Sequence, residues 1–125
     1  TNPEVSAVRD ADRIIGLVEA EEKGPARLII NRLNPAMIKR GDMLTADDVI
    51  ELLAIELIGI VPEDETVVVS TNRGQPVALD GKSKAAEAFH NIARRMNGEK
   101  VPFLNLDQKE DIFKRFVRMM RSGGN

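Results

Sequence analysis

The run ARLIIN, residues 26–31, is a short apolar segment between Lys23-Gly24-Pro25 and polar residues, the pattern of a strand buried on both faces. LIGIV, residues 57–61, repeats the pattern and is stopped by Pro62. Between the two, Thr45 offers an N-cap, and Asp47 and Asp48 fall in the first turn, where the helix dipole favours negative charge; this predicts a helix to about Leu53. NPAMIKRGDML, residues 34–44, reads as an irregular connector with one helical turn. Before the first strand, Val8, Ala11, Ile14, Ile15, Leu17 and Val18 recur at helical spacing, which predicts a helix over 5–21. After the second, Ala86, Phe89, Ile92, Ala93 and Met96 define one face of a helix over 83–97, with Gly98 past its end. VPFLNL, residues 101–106, is then an extended connector.

Residues 66–73 stay open. Val67 to Val69 favour a strand, while the acidic start and the Asn72-Arg73-Gly74 ending fit a short helix closed by Gly74. Alternating helices and strands imply an α/β fold with parallel pairing. Two strands are few for a parallel sheet, so the chain reads as one part of a larger, incomplete sheet.

With 125 residues, 42% of them hydrophobic, the chain has the size of one globular domain. The absence of cysteine excludes a disulfide framework, a thiolate metal site and a thiol nucleophile. No apolar run approaches the roughly 20 residues of a membrane span, and TNPEVSAVRD lacks the features of a signal peptide, so the expected location is cytoplasmic. The net charge of −2 hides an asymmetry: Lys114, Arg115, Arg118 and Arg121 give the last fourteen residues +4, leaving −6 on the rest. An acidic body argues against nucleic acid as a partner, and a basic end favours an anionic surface.

Several residue groups invite a chemical reading. Gly81-Lys82-Ser83 has the end of a phosphate loop, but the glycine required five positions before Gly81 is Pro76, which lacks an N–H and fixes φ; Ser83 reads better as an N-cap. His90 is the single histidine and reads as a half-exposed structural residue, with no second histidine or cysteine to build a zinc site. The acidic pairs Asp47-Asp48 and Glu63-Asp64 read as caps and solvated surface. No catalytic residue and no metal ligand is assigned. NRLNP, directly after the first strand, is different: parallel sheets place ligands beyond the carboxyl ends of their strands, and an asparagine there can both donate to and accept from a purine. Pro62-Glu63-Asp64 ends the second strand in the same way, so the two loops either sandwich a base or are simple turns.

TNPEVSAVRDADRIIGLVE, LIINRLNP, GDMLTADDVIELLAIELIGIVPEDETVVVSTNRGQPV and AFHNIARRMNGEKVPFL, in this order, resemble the C-terminal half of the MinD family. These are septum-site-determining ATPases of bacteria and plastids, within the ParA-like deviant Walker P-loop group. The resemblance covers nearly the whole chain. It implies residues 1–106 as the C-terminal part of a three-layer α/β/α ATPase domain and 107–125 as a membrane-targeting tail. It further implies ATP or ADP as ligand, Mg²⁺ in the complete protein, an ATP-bound homodimer, MinC-like and MinE-like partners, and peripheral attachment to the inner or plasma membrane, with a plastid location open. Carried over by motif, Asn31 and Arg32 stand in the adenine-recognition turn, and Pro62, Glu63 and Asp64 in the second loop around the base. Asn2, Pro3 and Glu4, with Arg9, Asp10 and Asp12, stand near the dimer and partner surface. The family's glycine-rich phosphate loop, its switch regions and its Mg²⁺-organising aspartate have no counterpart in these residues, and phosphoryl transfer rests on such parts. The chain is therefore expected to be inactive alone. Its start at TNPE, just past where a core strand ends in the family, fits a fragment or one piece of a split protein.

On a helical wheel, Ile112, Phe113, Phe116, Val117, Met119 and Met120 fall within a sector of about 160°, with Lys114, Arg115, Arg118 and Arg121 opposite. A bulky apolar stripe against a purely cationic face is the pattern of a helix lying in the headgroup region of an anionic bilayer. Four basic residues contribute roughly 4 kcal/mol at such a surface, a marginal anchor that a dimer strengthens by presenting two. The competing reading is a non-catalytic α/β interaction domain whose basic tail docks a protein groove or nucleic acid.

Overall fold

The structure, a computed structural model, describes residues 1–106. The basic stretch with Ile112–Arg121, read above as a membrane helix, lies outside the described residues. In chain order the elements are α1 (Val5–Ala20), β1 (Arg27–Leu33), α2 (Pro35–Lys39), α3 (Ala46–Leu53), β2 (Glu56–Pro62), α4 (Glu65–Asn72), a 3-10 turn at Val77–Leu79, and α5 (Lys84–Met96). β1 and β2 pair in parallel to form a two-stranded sheet. Thr1 adds one parallel step on the other edge of β1: its amino group donates to Ile29 O at 3.0 Å, and Asn31 N donates to Thr1 O at 2.8 Å.

The sheet separates two apolar clusters, because successive strand residues face opposite sides. On one side Leu28, Ile30 and Leu33 of β1 meet Val8 of α1 and Val49 and Leu53 of α3, with Ile30 and Val49 fully buried. On the other, Ile58 and Val61 of β2 meet Ala85, Ala88 and Ile92 of α5. Helices thus cover both faces. The small alanines let α5 approach closely, and the register slips where Leu28 pairs with Leu57 but Ile29 with Gly59. This irregularity turns both Ile58 and Gly59 toward α5: a Cβ built on Gly59 would lie 2.2 Å from Ile92 Cγ1.

Helix ends follow the expected capping chemistry, with more partners than the sequence announced. Thr45 Oγ1 accepts from Asp48 N, and Asp48 Oδ2 accepts from Thr45 N at 2.8 Å, a complete capping box. That exchange holds the Asp48 carboxyl below the usual carboxylate range, the backbone bond from Thr45 contributing most. Ser83 Oγ caps α5 through Ala86 N at 2.9 Å. Residues 65–72 are helical: Asp64 caps their start, Gly74 at φ +68° follows their end, and Val67 packs onto the cluster under α5. Local β-propensity is overruled there by the cap and the packing.

Candidate nucleotide-base site

β1 and β2 deliver their carboxyl ends to the same place, where Glu63 N donates to Leu33 O at 2.9 Å. Between Ile30 and Leu33 the register slips again, and Arg32 adopts φ +56°, a left-handed conformation that costs a non-glycine residue about 1 kcal/mol or more. The kink brings Arg32 Nη2 to 3.2 Å from Glu63 Oε1. Asn34 Nδ2 donates to the other oxygen, Oε2, at 2.9 Å. Asn34 is itself fixed, because its Oδ1 accepts from Ala36 N at 3.0 Å and Met37 N at 3.2 Å as the N-cap of α2. The carboxyl of Glu63 is consequently held below the usual range, first by the Asn34 hydrogen bond and then by Arg32.

Asp64 points the other way, into the scaffold. Its Oδ1 accepts from Thr66 N at 2.9 Å and Thr66 Oγ1 at 2.6 Å, and its Oδ2 from Ala85 N at 3.3 Å, so one carboxylate serves the first turns of α4 and α5. Burial raises its pKa, but the hydrogen bonds from Thr66, Ala85 and Ser83 outweigh that and leave it lowered. A group depressed in the folded state stabilises above its unfolded pKa and loses that stabilisation as pH falls through the folded value. Asp64→Ala should therefore cost about 2 kcal/mol at pH 7, from two helix starts, and the gap to the unsubstituted chain should shrink below about pH 4, the ordinary aspartate range. Urea unfolding at pH 7 and pH 3 checks this; a gap that widens in acid contradicts the double cap.

Asn31, Arg32, Pro62, Glu63 and Asp64, the five residues placed around a base by resemblance, all line one cavity of about 640 Å³. Its apolar wall is made by Val67, Val68 and Phe89, the last 37% exposed. The Asn31 carboxamide makes no hydrogen bond among the described residues, leaving a donor and an acceptor for a ligand. The cavity thus combines an apolar wall with the Asn31 amide at its rim. Asn34 was missed by sequence reading, although Asn followed by Pro at a helix start is an N-cap signal. Pro3 is fully buried and accepts from Leu44 N at 3.2 Å, which sets the Asn2–Glu4 turn next to Asn31. Glu4, at the N-cap of α1, and Arg9, Asp10 and Asp12 on α1 are exposed and do not line the cavity, Asp10 pairing with Arg13 at 3.6 Å. The Gly81-Lys82-Ser83 turn is closed on itself, since Lys82 N donates to Asp80 Oδ1 at 3.1 Å and Ser83 caps α5. His90 Nε2 lies 2.8 Å from Ala78 O. Among the described residues, no group of three or more acidic or histidine side chains could hold a metal, and no helix is long and apolar enough to cross a membrane.

Parallel strands covered by helices on both faces, with a polar cluster at their carboxyl ends, define part of the three-layer α/β/α fold of P-loop ATPases. The chain belongs to the MinD family of septum site-determining proteins. It is 46% identical to MinD of Synechocystis sp. over 125 residues, 99% of this chain and 47% of that protein. It superposes on MinD in the MinC:MinD cell division protein complex of Aquifex aeolicus with a TM-score of 0.80 and 47% identity, over 84% of this chain and 43% of the other. With the Pyrococcus horikoshii MinD complexed with Mg-ADP the TM-score is 0.63 at 27% identity, covering 77% and 38% of the two chains. The chain thus spans less than half the length of these relatives. No family model matches it.

Proposed function

We propose that this chain supplies the base-recognition loops and the membrane anchor of a MinD-like ATPase that takes part in placing the division site. The observation that carries the reading is the near-complete match of the chain to MinD proteins, which extends through both strand-end loops. In this reading Asn31 reads the edge of an adenine, and the apolar wall of Val67, Val68 and Phe89 takes its face. Arg32 and Asn34 hold Glu63, and Asp64 fixes the helix starts behind it. Phosphates and Mg²⁺ are held by family parts outside these residues, so ATP hydrolysis requires the other half of the protein. Among the described residues the Gly81-Lys82-Ser83 turn, the stretch most like a phosphate loop, is closed on itself, so the strand-end loops are assigned to the base of a nucleotide and not to its phosphates.

In the complete protein, ATP-dependent dimerisation would present two basic tails to an anionic membrane, and α1 with its Asn2–Glu4 turn would face the dimer and a MinC-like or MinE-like partner. The complex of the Aquifex relative with MinC supports the first of these partners.

Binding of the base is tested on the ¹⁵N-labelled 125-residue chain by titrating adenosine, which needs no phosphate site. Saturable shifts are expected at the amides of Asn31, Arg32 and Glu63, and Asn31→Ala should weaken binding about tenfold, the effect of losing two hydrogen bonds. A folded chain whose spectrum ignores adenosine would exclude the base-recognition role.

A further inference from the structure

The connector after α5 brings the chain back to the ligand end of the sheet. Arg95, in the last turn of α5, donates from Nε to Val101 O at 3.0 Å, from Nη2 to Pro102 O at 2.8 Å, and from Nη1 to Ile58 O of β2 at 3.0 Å. Its planar fork fixes the path of the connector. Leu104 then packs onto the cluster under α5, and Leu106 onto the cluster on the other side of the sheet. Leu106 also lines a cavity of about 510 Å³ together with Pro62, Glu63 and Glu65. The cavity containing Asn31 is lined by the same Pro62, Glu63 and Glu65, so the two are adjoining parts of one strand-end opening. The basic end of the chain is therefore rooted at the edge of that opening.

The opening and the basic end are complementary. The wall of the opening carries apolar surface left uncovered, with Val68 62% and Phe89 37% exposed, the kind of surface that marks a docking site. Glu65 at the rim is exposed and makes no ion pair among the described residues. The cations that line the opening, Arg32 and Lys84, lie against Glu63 at 3.2 Å and Glu87 at 3.8 Å. The last fourteen residues bring the apolar stripe around Phe116 and a charge of +4, against −6 on the rest of the chain. From Leu106 to Ile112 an extended chain reaches about 20 Å. A tether this short gives an effective concentration on the order of millimolar, so a contact too weak to retain a free peptide retains this one.

We propose that, away from a membrane, residues 107–125 dock back onto the strand-end opening, the apolar stripe on the Val68 and Phe89 wall and the basic side chains toward Glu65, so that the tail and a nucleotide base exclude each other. The exclusion rests on the base-binding reading above; the docking does not. A docked stripe is hidden from lipid, and a bound base leaves it free, so by linkage base and membrane favour each other's binding. Because the base is common to ATP and ADP, the exclusion keeps the empty protein off the membrane and leaves the difference between the two nucleotides to dimerisation.

The chain has no cysteine, so Ser122→Cys in the ¹⁵N-labelled 125-residue chain carries a single nitroxide. Faster relaxation is expected at the amides of Glu65, Val68 and Phe89, and Phe116→Glu in the spin-labelled chain should abolish it. Enhancement confined to 101–106 at the root of the tail, or equally strong when the nitroxide sits on a separate copy mixed with the observed one, overturns the docking. Adenosine should reverse the enhancement with the Kd read from the shift at Asn31. Phe116→Glu should bind adenosine about fivefold more tightly, as a site that is about one-fifth open becomes fully open. A shift at Asn31 with the enhancement unchanged overturns the exclusion. Enhancement at Val68 and Phe89 with no adenosine shift at any position overturns the base reading, and the exclusion with it, while the docking stands.

Discussion

Gly59→Ala is expected to destabilise the chain by about 3 kcal/mol, the upper part of the range for overpacked cores. The new Cβ would lie 2.2 Å from Cγ1 and 2.4 Å from Cδ1 of Ile92. Rotation about χ2 can move Cδ1, but Cγ1 is fixed by χ1, and a β-branched residue in a helix has essentially one χ1 well. Ile92 is 5% exposed and enclosed by Ile58, Val61, Ala85 and Ala88, so it has no room to retreat. The alternative is to lift α5 off β2, which opens the packing that the small alanines allow. For a folded unit of this size the loss lowers Tm by roughly 10–20 °C. Ile92→Ala by itself leaves a cavity and costs about 2–5 kcal/mol. Combined with Gly59→Ala, it should cost clearly less than the two separate losses together, because the alanine methyl then occupies vacated space. A Gly59→Ala chain that melts with the unsubstituted one would contradict the close approach of α5 to the irregular strand.

That contact marks a boundary of what can be read without coordinates. The runs ARLIIN and LIGIV announce two buried strands, and the described sheet has those two with shifted ends: β1 starts at Arg27 and runs on through Arg32 to Leu33, and β2 takes in Glu56 and also Pro62, which was expected to stop it. Thr45, Ser83 and Gly98 sit at helix ends as their chemistry requires, Gly98 at φ +86°. Val67 to Val69 gave conflicting local signals because their conformation is set by Asp64, four residues before Val68, and by Ala85 and Ala88 across the chain. The five residues assigned to a base by family resemblance line one cavity, a convergence that follows from parallel pairing. What holds them was not legible. The left-handed turn at Arg32 has no local signature, since arginine is not a residue that prefers φ > 0. The clamp of Arg32 and Asn34 on Glu63 joins positions about thirty residues apart. Arg95 carries no sequence signal beyond its charge, yet its bonds to Val101 O, Ile58 O and Pro102 O tie the end of α5 to β2 and to the connector that follows.

Phe116→Glu is expected to weaken binding to anionic vesicles about 100-fold. On the helical wheel proposed for the basic end, Phe116 falls near the middle of the apolar sector of Ile112, Phe113, Val117, Met119 and Met120. Removing its burial costs about 2 kcal/mol, and a carboxylate at an anionic surface adds about 1 kcal/mol; every 1.4 kcal/mol is tenfold. Sedimentation with vesicles containing anionic lipid should show this loss, and neutral vesicles should retain little of either form. A core helix or a protein-docking helix would respond to Phe116→Glu with no such dependence on lipid charge.

The same sedimentation assay reaches furthest when this chain replaces the matching segment of the Synechocystis MinD. If residues 1–106 supply the base half of the nucleotide site and 107–125 the anchor, the exchanged protein pellets with anionic vesicles in ATP and stays in solution in ADP, and Phe116→Glu abolishes the difference. An exchanged protein that folds, with a cooperative melt, yet pellets equally in ATP and ADP would contradict the proposed role of this chain.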